Sequence, residues 1–274
     1  MVQEAKRPAS LVDVARDVIE KAIYAGEWPA GHALREMDLA RDLGVSRGTV
    51  RAAIRSLQEQ GLVRVVPHRG ASVAQMNATD LTQIYTFRAL IEPYAARLAM
   101  DEQATECDRR ALVESLHVSL AEMRSAEREA NLEAMTRHDV DFHLKIVQAG
   151  RHDLLLTVYR SLLSRTRLAM MHSILSSGNK VIPEPKEHAE IVASVETNSQ
   201  EVLARQLRDH ALSALNRLLS SSLTVDSGTL LSRELFVRQL PWEPGIGGLA
   251  CSAESNEEAA RSESTVSVDS VNQL

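Results

Sequence analysis

The stretch from Val45 to Gly61 constrains this chain more than any other. Val50, Ala53, Ile54 and Leu57 recur at three- and four-residue spacing, the period of one buried helical stripe. Ser46 stands where a hydroxyl can accept from the free N–H groups of a first turn, and Gly61 stands where a helix stops. The opposite face carries Arg47, Thr49, Arg51 and Arg55. A helix with an apolar back and an arginine-rich front fits a DNA major groove, where Arg grips phosphate or a guanine edge. The competing reading is an ordinary solvated face. Local charge argues against it: from Ser46 to Gln75 the basic residues are Arg47, Arg51, Arg55, Arg64 and Arg69, and the only acid is Glu59. A field of one sign inside a chain of net charge -6 points to an anionic partner.

That net charge excludes a polycation that would hold nucleic acid along its whole length, because the positive character is confined to the front. Residues 1–75 hold 11 basic and 9 acidic side chains, whereas residues 225–274 hold 3 and 8. Aromatics are 3% of the chain, so a core must be built from Leu, Ala, Val, Ile and Met, and the scarcity of Gly and Pro points to a mainly α protein. The two cysteines, Cys107 and Cys251, form neither a disulfide framework nor a CxxC metal motif, which fits a reducing cytoplasm. Met1 to Ser10 has Lys6, Arg7 and Pro8 but no apolar signal-peptide core, and no run of about 18 apolar residues exists to span a membrane. A cytoplasmic location without membrane attachment is expected.

In chain order, Ser10 to Ala25 has apolar residues at helical spacing, and Gly26 to Gly31 is a turn. Leu34 and Arg35 lead into a short helix, Glu36 to Leu43, and Gly44-Val45 is a tight turn into the basic helix. Two short helices joined by a Gly-containing turn, the second one basic, describe a helix-turn-helix. Leu62 to Val66 and Ala71 to Ala74 read as strands around a turn at Pro67 to Gly70, a wing whose tip, Arg69 and Gly70, suits minor-groove insertion. The run from Leu39 to Arg51, followed by Gly61-Leu62-Val63 and the Arg69-Gly70 wing, resembles the DNA-binding domain of GntR-family bacterial transcription regulators over residues 10–75. The resemblance implies DNA contacts at Arg47, Thr49, Arg51 and Gly70. Met37 occupies the place of a further DNA-contacting Arg of some members, and Ala52 that of an acidic residue.

Beyond Asn77 the pattern is helix after helix, about six in an antiparallel bundle. Thr79-Asp80 can cap Leu81 to Met100, with Pro93 inside. Glu106 to Glu129 follows, then Leu132 to Ala149 after a cap at Asn131. A fourth helix starts at Asp153, a fifth at Glu184 or Pro185, and a last one at Asn198 or Ser199, ending near Ser222. The domain reading is a flexible N-terminus at 1–9, a winged helix-turn-helix at 10–76, a helical effector-binding and dimerisation domain at 77–224, and a disordered tail at 225–274. Within that tail, Leu230 to Leu240 could dock.

The bundle carries one chemical constellation. Asp139 and His143 are four apart and share a helix face, while His188 and His210 lie on the fifth and last helices. Three neutral imidazoles and a carboxylate suit a divalent transition metal, with Zn²⁺, Ni²⁺ and Mn²⁺ all admissible. The competing reading is a set of hydrogen-bonded core histidines, because no local motif joins residues from different helices. His32, His68, His117, His138, His152 and His172 are assigned to the core or surface. Glu187 and Glu190 flank His188 and are expected to face elsewhere. Taken together, Arg88 to Glu92, Asp139 to His143, Glu187 to Ile191 and a His on the last helix resemble the FadR-type effector domain, called FCD. That resemblance implies metal ligation by Asp139, His143, His188 and His210, and a small organic acid or related metabolite as effector. It places Arg88 near the effector cavity, where Arg would pair with a carboxylate; an ion pair with Glu92 on the same helix face is the alternative. His152 replaces an Asn common in the family.

The function read from all this is a homodimeric repressor that binds a near-palindromic operator in double-stranded DNA and is controlled by the metabolite. Two other readings are a metal-dependent hydrolase fused to a DNA-binding module, with Asp139 and the histidines activating water, and an architectural DNA binder that senses nothing.

Overall fold

The computed structural model describes residues 10–101, 104–176 and 185–222. The expected flexible N-terminus, most of the loop placed at Ser176 to Asn179, and the tail with its Leu230 to Leu240 segment lie outside the described residues. Among the described residues the chain forms nine helices and one three-stranded sheet.

The first three helices are α1 (Leu11–Tyr24), α2 (Glu36–Leu43) and α3 (Arg47–Glu59). Each begins or ends on a residue suited to it. Ser10 accepts from the Asp13 N–H at 3.1 Å, and the Asp13 carboxylate accepts from the Ser10 N–H at 3.2 Å. Gly44 closes α2 in the left-handed region, and the Ser46 hydroxyl accepts from the Thr49 N–H at 3.1 Å to open α3. The wing is an antiparallel pair, β2 (Val63–Val66) and β3 (Gly70–Val73). A strand that periodicity did not reveal, β1 (Ala33–Leu34), pairs antiparallel with β3 on its other edge, giving the order β1-β3-β2. Two residues are too short to carry a period of two, so Leu34 reads from sequence as a mere lead-in.

Six further helices follow: α4 (Ala78–Ala99), α5 (Glu106–Arg128), α6 (Leu132–Ala149), α7 (Asp153–Ser176), α8 (Pro185–Glu196) and α9 (Gln200–Ser222). The start of α4 differs from expectation. Asn77 is the cap, accepting from the Asp80 N–H at 2.9 Å, while the Asp80 carboxylate reciprocates at 3.0 Å. Asp80 is thus the returning partner of the cap, and the helix begins three residues before Leu81. His152 fills the cap position of α7: its Nδ1 accepts from the Leu155 N–H at 3.3 Å and its carbonyl from the Leu156 N–H at 2.9 Å. The imidazole thus serves this helix start as a capping side chain.

Two apolar clusters matter for function. One joins Phe142 and Ile146 of α6 to Leu116, Leu120 and Met123 of α5, Ile191, Val192 and Val195 of α8, and Leu203 and Leu207 of α9. The other is the core of the winged region, where Ile19, Ile23, Val50, Ile54, Leu57 and Leu62 pack with Leu168 and Met171 of α7. The Tyr24 hydroxyl donates to the Ser164 carbonyl at 3.3 Å, and the Arg167 guanidinium lies 3.8 Å over the Tyr24 ring. Gly61 has φ +76°, a backbone conformation that side chains rarely adopt, so the turn after α3 favours glycine. Helix α7 therefore completes the core of the winged region from outside it.

Candidate metal centre and nucleic-acid interface

The apolar stripe of α3 is buried as its spacing requires, which turns the other face outward. Arg47 and Arg51 have side chains 60% and 51% exposed, so both lie open to a partner on that face. Thr49 is half-buried, and its hydroxyl lies 2.8 Å from the Ser46 hydroxyl. At the wing tip Arg69 is exposed, and Gly70 has φ +86° with open space where a Cβ would stand. The field around α3 is less uniform than the sequence implies. Glu36, the first residue of α2, accepts from Arg51 at 3.1 Å and 2.8 Å and lies 4.0 Å from Arg47. The Arg51 guanidinium beside it holds the Glu36 carboxyl below its usual range. An acid 15 residues away in sequence escapes a local charge count but not the fold.

In the bundle, Asp139, His143, His188 and His210 each offer a ligand atom, and these atoms all lie within 4.8 Å of one another. All four side chains are buried. Helix α6 supplies Asp139 and His143 one turn apart, α8 supplies His188 and α9 supplies His210. Ring centroids are 5.0 Å apart for His143 and His210, 4.6 Å for His188 and His210, and 5.3 Å for His143 and His188. Phe142 meets His143 and His188 edge-on and forms an apolar wall beside them. Asp139 Oδ1 lies 3.0 Å from His188 Nε2. Burial alone would raise the Asp139 carboxyl, but His188, His143 and Arg88 together hold it well below the usual range. Burial pushes the His210 imidazole down to about 4 and lowers His143 as well, so both are neutral near pH 7. Both ring nitrogens of His143 are buried without an aligned hydrogen-bond partner. Neutral His143 and His210, converging with His188 on the Asp139 carboxylate, are the donor set a divalent transition metal takes, so these four residues fit such an ion.

Among the described residues, two further carboxylates stand beside this cluster. Glu92 accepts from Arg88 Nε at 2.6 Å and from the Tyr159 hydroxyl at 2.7 Å, and its Oε2 lies 3.0 Å from His143 Nδ1, off the line of a good hydrogen bond. The ion-pair alternative for Arg88 is therefore present in the structure, and the Arg88 Nη2 atom remains buried without a hydrogen-bond partner. Glu187 does not face away from the cluster as sequence reasoning expected: its Oε2 accepts from His210 Nδ1 at 2.6 Å, and Arg217 grips both its oxygens at 2.7 Å and 3.0 Å. Tyr159 and Glu187 carry no local signal for these roles. Only adjacency of Glu187 to His188 hinted that it lay near.

Residues 83–213 match the FCD domain family model, and residues 11–73 match that of bacterial regulatory proteins of the gntR family. Among curated proteins, the chain is 36% identical over 106 residues to an HTH-type transcriptional regulator of Agrobacterium vitis, a match that spans 38% of this chain and 62% of that one. It is 28% identical over 220 residues to the "Probable D-xylose utilization operon transcriptional repressor" of Paenarthrobacter nicotinovorans, across 79% of this chain and 92% of the relative. Among solved structures it shares the fold of Escherichia coli McbR/YncC with a TM-score of 0.64 at 20% identity, over 78% of this chain and 100% of the other.

Proposed function

The chain belongs to the gntR family of bacterial regulatory proteins and carries an FCD domain, and from that premise we propose that it is a dimeric repressor of transcription relieved by a small organic acid. In this reading residues 10–76 bind operator DNA through Arg47, Thr49 and Arg51 of α3 and Arg69 and Gly70 of the wing. Residues 77–224 hold a divalent metal through Asp139, His143, His188 and His210, and the acid binds against that ion with Arg88 as its cationic neighbour.

One observation carries the reading. Helix α7 belongs to both halves, with Tyr159 on Glu92 beside the His/Asp cluster and Leu168 and Met171 inside the core that supports α3. A ligand that favours one placement of α7 thereby favours one placement of the DNA-reading helix. The Arg88 Nη2 atom supports a carboxylate partner, because a buried guanidinium nitrogen left unbonded is costly. Relatives named as repressors support the sign of regulation. The exposed apolar side chains Leu90 and Tyr94 of α4 and Leu154 and Val158 of α7, on helices that pack together, offer a face for a second copy. A hydrolase reading fares worse. Glu92 and Glu187, the carboxylates beside the cluster, are held by arginines and are well below or at the bottom of the usual carboxylate range, which makes them poor general bases.

The test is a thermal-shift screen of organic acids with and without added zinc, followed by gel shifts on the promoter fragment. Zinc at a hundredfold over its Kd should stabilise the protein by about 2.7 kcal/mol, and an acid active only with zinc should release the DNA. A protein whose melting ignores zinc, chelator and every acid is not this sensor.

A further inference from the structure

Glu187 and His188 are neighbours at the start of α8, about 100° apart around the helix axis, so one faces the cluster while the other faces α9. His210 and Arg217 lie seven residues apart on α9, two turns along one face, and both reach Glu187. We propose that Glu187, clamped by Arg217, is a positioning residue of the metal centre: by accepting the Nδ1 proton of His210 it fixes that ring's tautomer and makes Nε2 the ligand atom. The Glu187-His188 pair thus serves the site twice, once by direct ligation and once by orienting a ligand on another helix. This inference rests on the metal reading above.

The physical reason is the division of labour within an imidazole. A ring nitrogen that carries a proton cannot ligate, and a hydrogen bond to one nitrogen decides which that is. Without an acceptor beside Nδ1, the His210 ring could carry its proton on Nε2, the wrong side. The 2.6 Å contact is short and aligned, and the carboxylate is pinned by two N–H groups of Arg217, one on each oxygen. The neighbouring pair makes an internal contrast. Glu92 stands 3.0 Å from His143 Nδ1 but off-line, and its Oε1 already accepts from Arg88 and Tyr159. Glu187 is therefore the better-formed of the two outer carboxylates.

The experiment uses the full chain with ¹⁵N-labelled histidine, and zinc as the metal. In the zinc-loaded wild type, His210 should carry its proton on Nδ1 and show the metal-shifted resonance on Nε2. In competition with a chelating dye, Glu187→Ala should bind zinc about 10–100-fold more weakly. Glu187→Gln should fall between, because its amide oxygen still accepts the N–H but carries no charge. A link that only ties α8 to α9 would leave the tautomer unchanged in both variants. A proton on His210 Nε2 in the wild type overturns the proposal, as does equal zinc affinity in all three proteins. If Glu187→Ala does not fold, the tautomer of His210 in the metal-free wild type and in Glu187→Gln still decides. A wild type that binds no zinc removes the metal reading and this one together, whereas tight zinc binding indifferent to residue 187 removes this one alone.

Discussion

Two Arg–Glu pairs in this molecule use the same chemistry to opposite ends. Arg51 and Glu36 meet at 2.8 Å and 3.1 Å with side chains 51% and 30% exposed. Arg88 and Glu92 meet at 2.6 Å with side chains 2% and 0% exposed. In the open, water and salt compete for both partners, so the Arg51 pair adds little to stability and a phosphate or a base edge can take the carboxylate's place. Inside, no such exchange is available, because each charge was stripped of water when the helices closed. Exposure, more than residue type, separates a contact made to be surrendered from one that must persist.

The largest expected effect comes from breaking the buried member. Arg88→Ala leaves Glu92 buried with the Tyr159 hydroxyl but no guanidinium beside it, and should lower stability by about 3–5 kcal/mol, read as a shift in the urea midpoint. A midpoint near wild type would mean that Glu92 is neutral or hydrated there, and the contrast between the pairs would collapse. A second effect sharpens the dry side of the comparison. Burial holds His210 near 4 in the folded, metal-free protein against about 6.5 when unfolded, so between these values only the unfolded chain takes up the proton. Stability should therefore be full above about pH 6.5 and fall by about 1.4 kcal/mol for each pH unit down to about 4. A chelator-treated sample with the same urea midpoint at pH 7 and pH 5 would contradict it.

The exposed pair should respond in DNA binding and not in folding. Arg51→Ala should weaken operator binding roughly 5- to 150-fold at fixed salt if Arg51 reads a base edge with its fork, while the urea midpoint stays put. Unchanged affinity in a gel-shift titration would remove Arg51 from the interface. Smallest of all, Glu36→Gln frees Arg51 and Arg47 from a competing charge and should strengthen DNA binding at low salt, an advantage that fades as salt is added. If it weakens binding instead, Glu36 aims Arg51 at its target.

How much of this was legible in the sequence depended on distance along the chain. The period of Val50, Ala53, Ile54 and Leu57 marks a buried stripe, and Ser46 and Gly61 mark its ends, because caps and stripes are encoded within a few residues. The i,i+4 spacing of Asp139 and His143 was equally plain. The convergence of His188 and His210 on them needed the family resemblance, since no local rule brings three helices together. Glu36 beneath Arg51, Glu187 beside His210 and Tyr159 on Glu92 were not readable: each joins residues 15 to 67 positions apart. The two-residue strand at Ala33 and Leu34 escaped for the opposite reason, being too brief to show any period.

The placement of Leu168 and Met171 carries a practical corollary. A fragment cut after the wing would lack Leu168 and Met171, which belong to the same apolar core as Ile19, Val50 and Leu57. The winged region and the helical region after it are thus not beads on a string, and dissecting the protein at the seam its sequence advertises would open an interior that the two share.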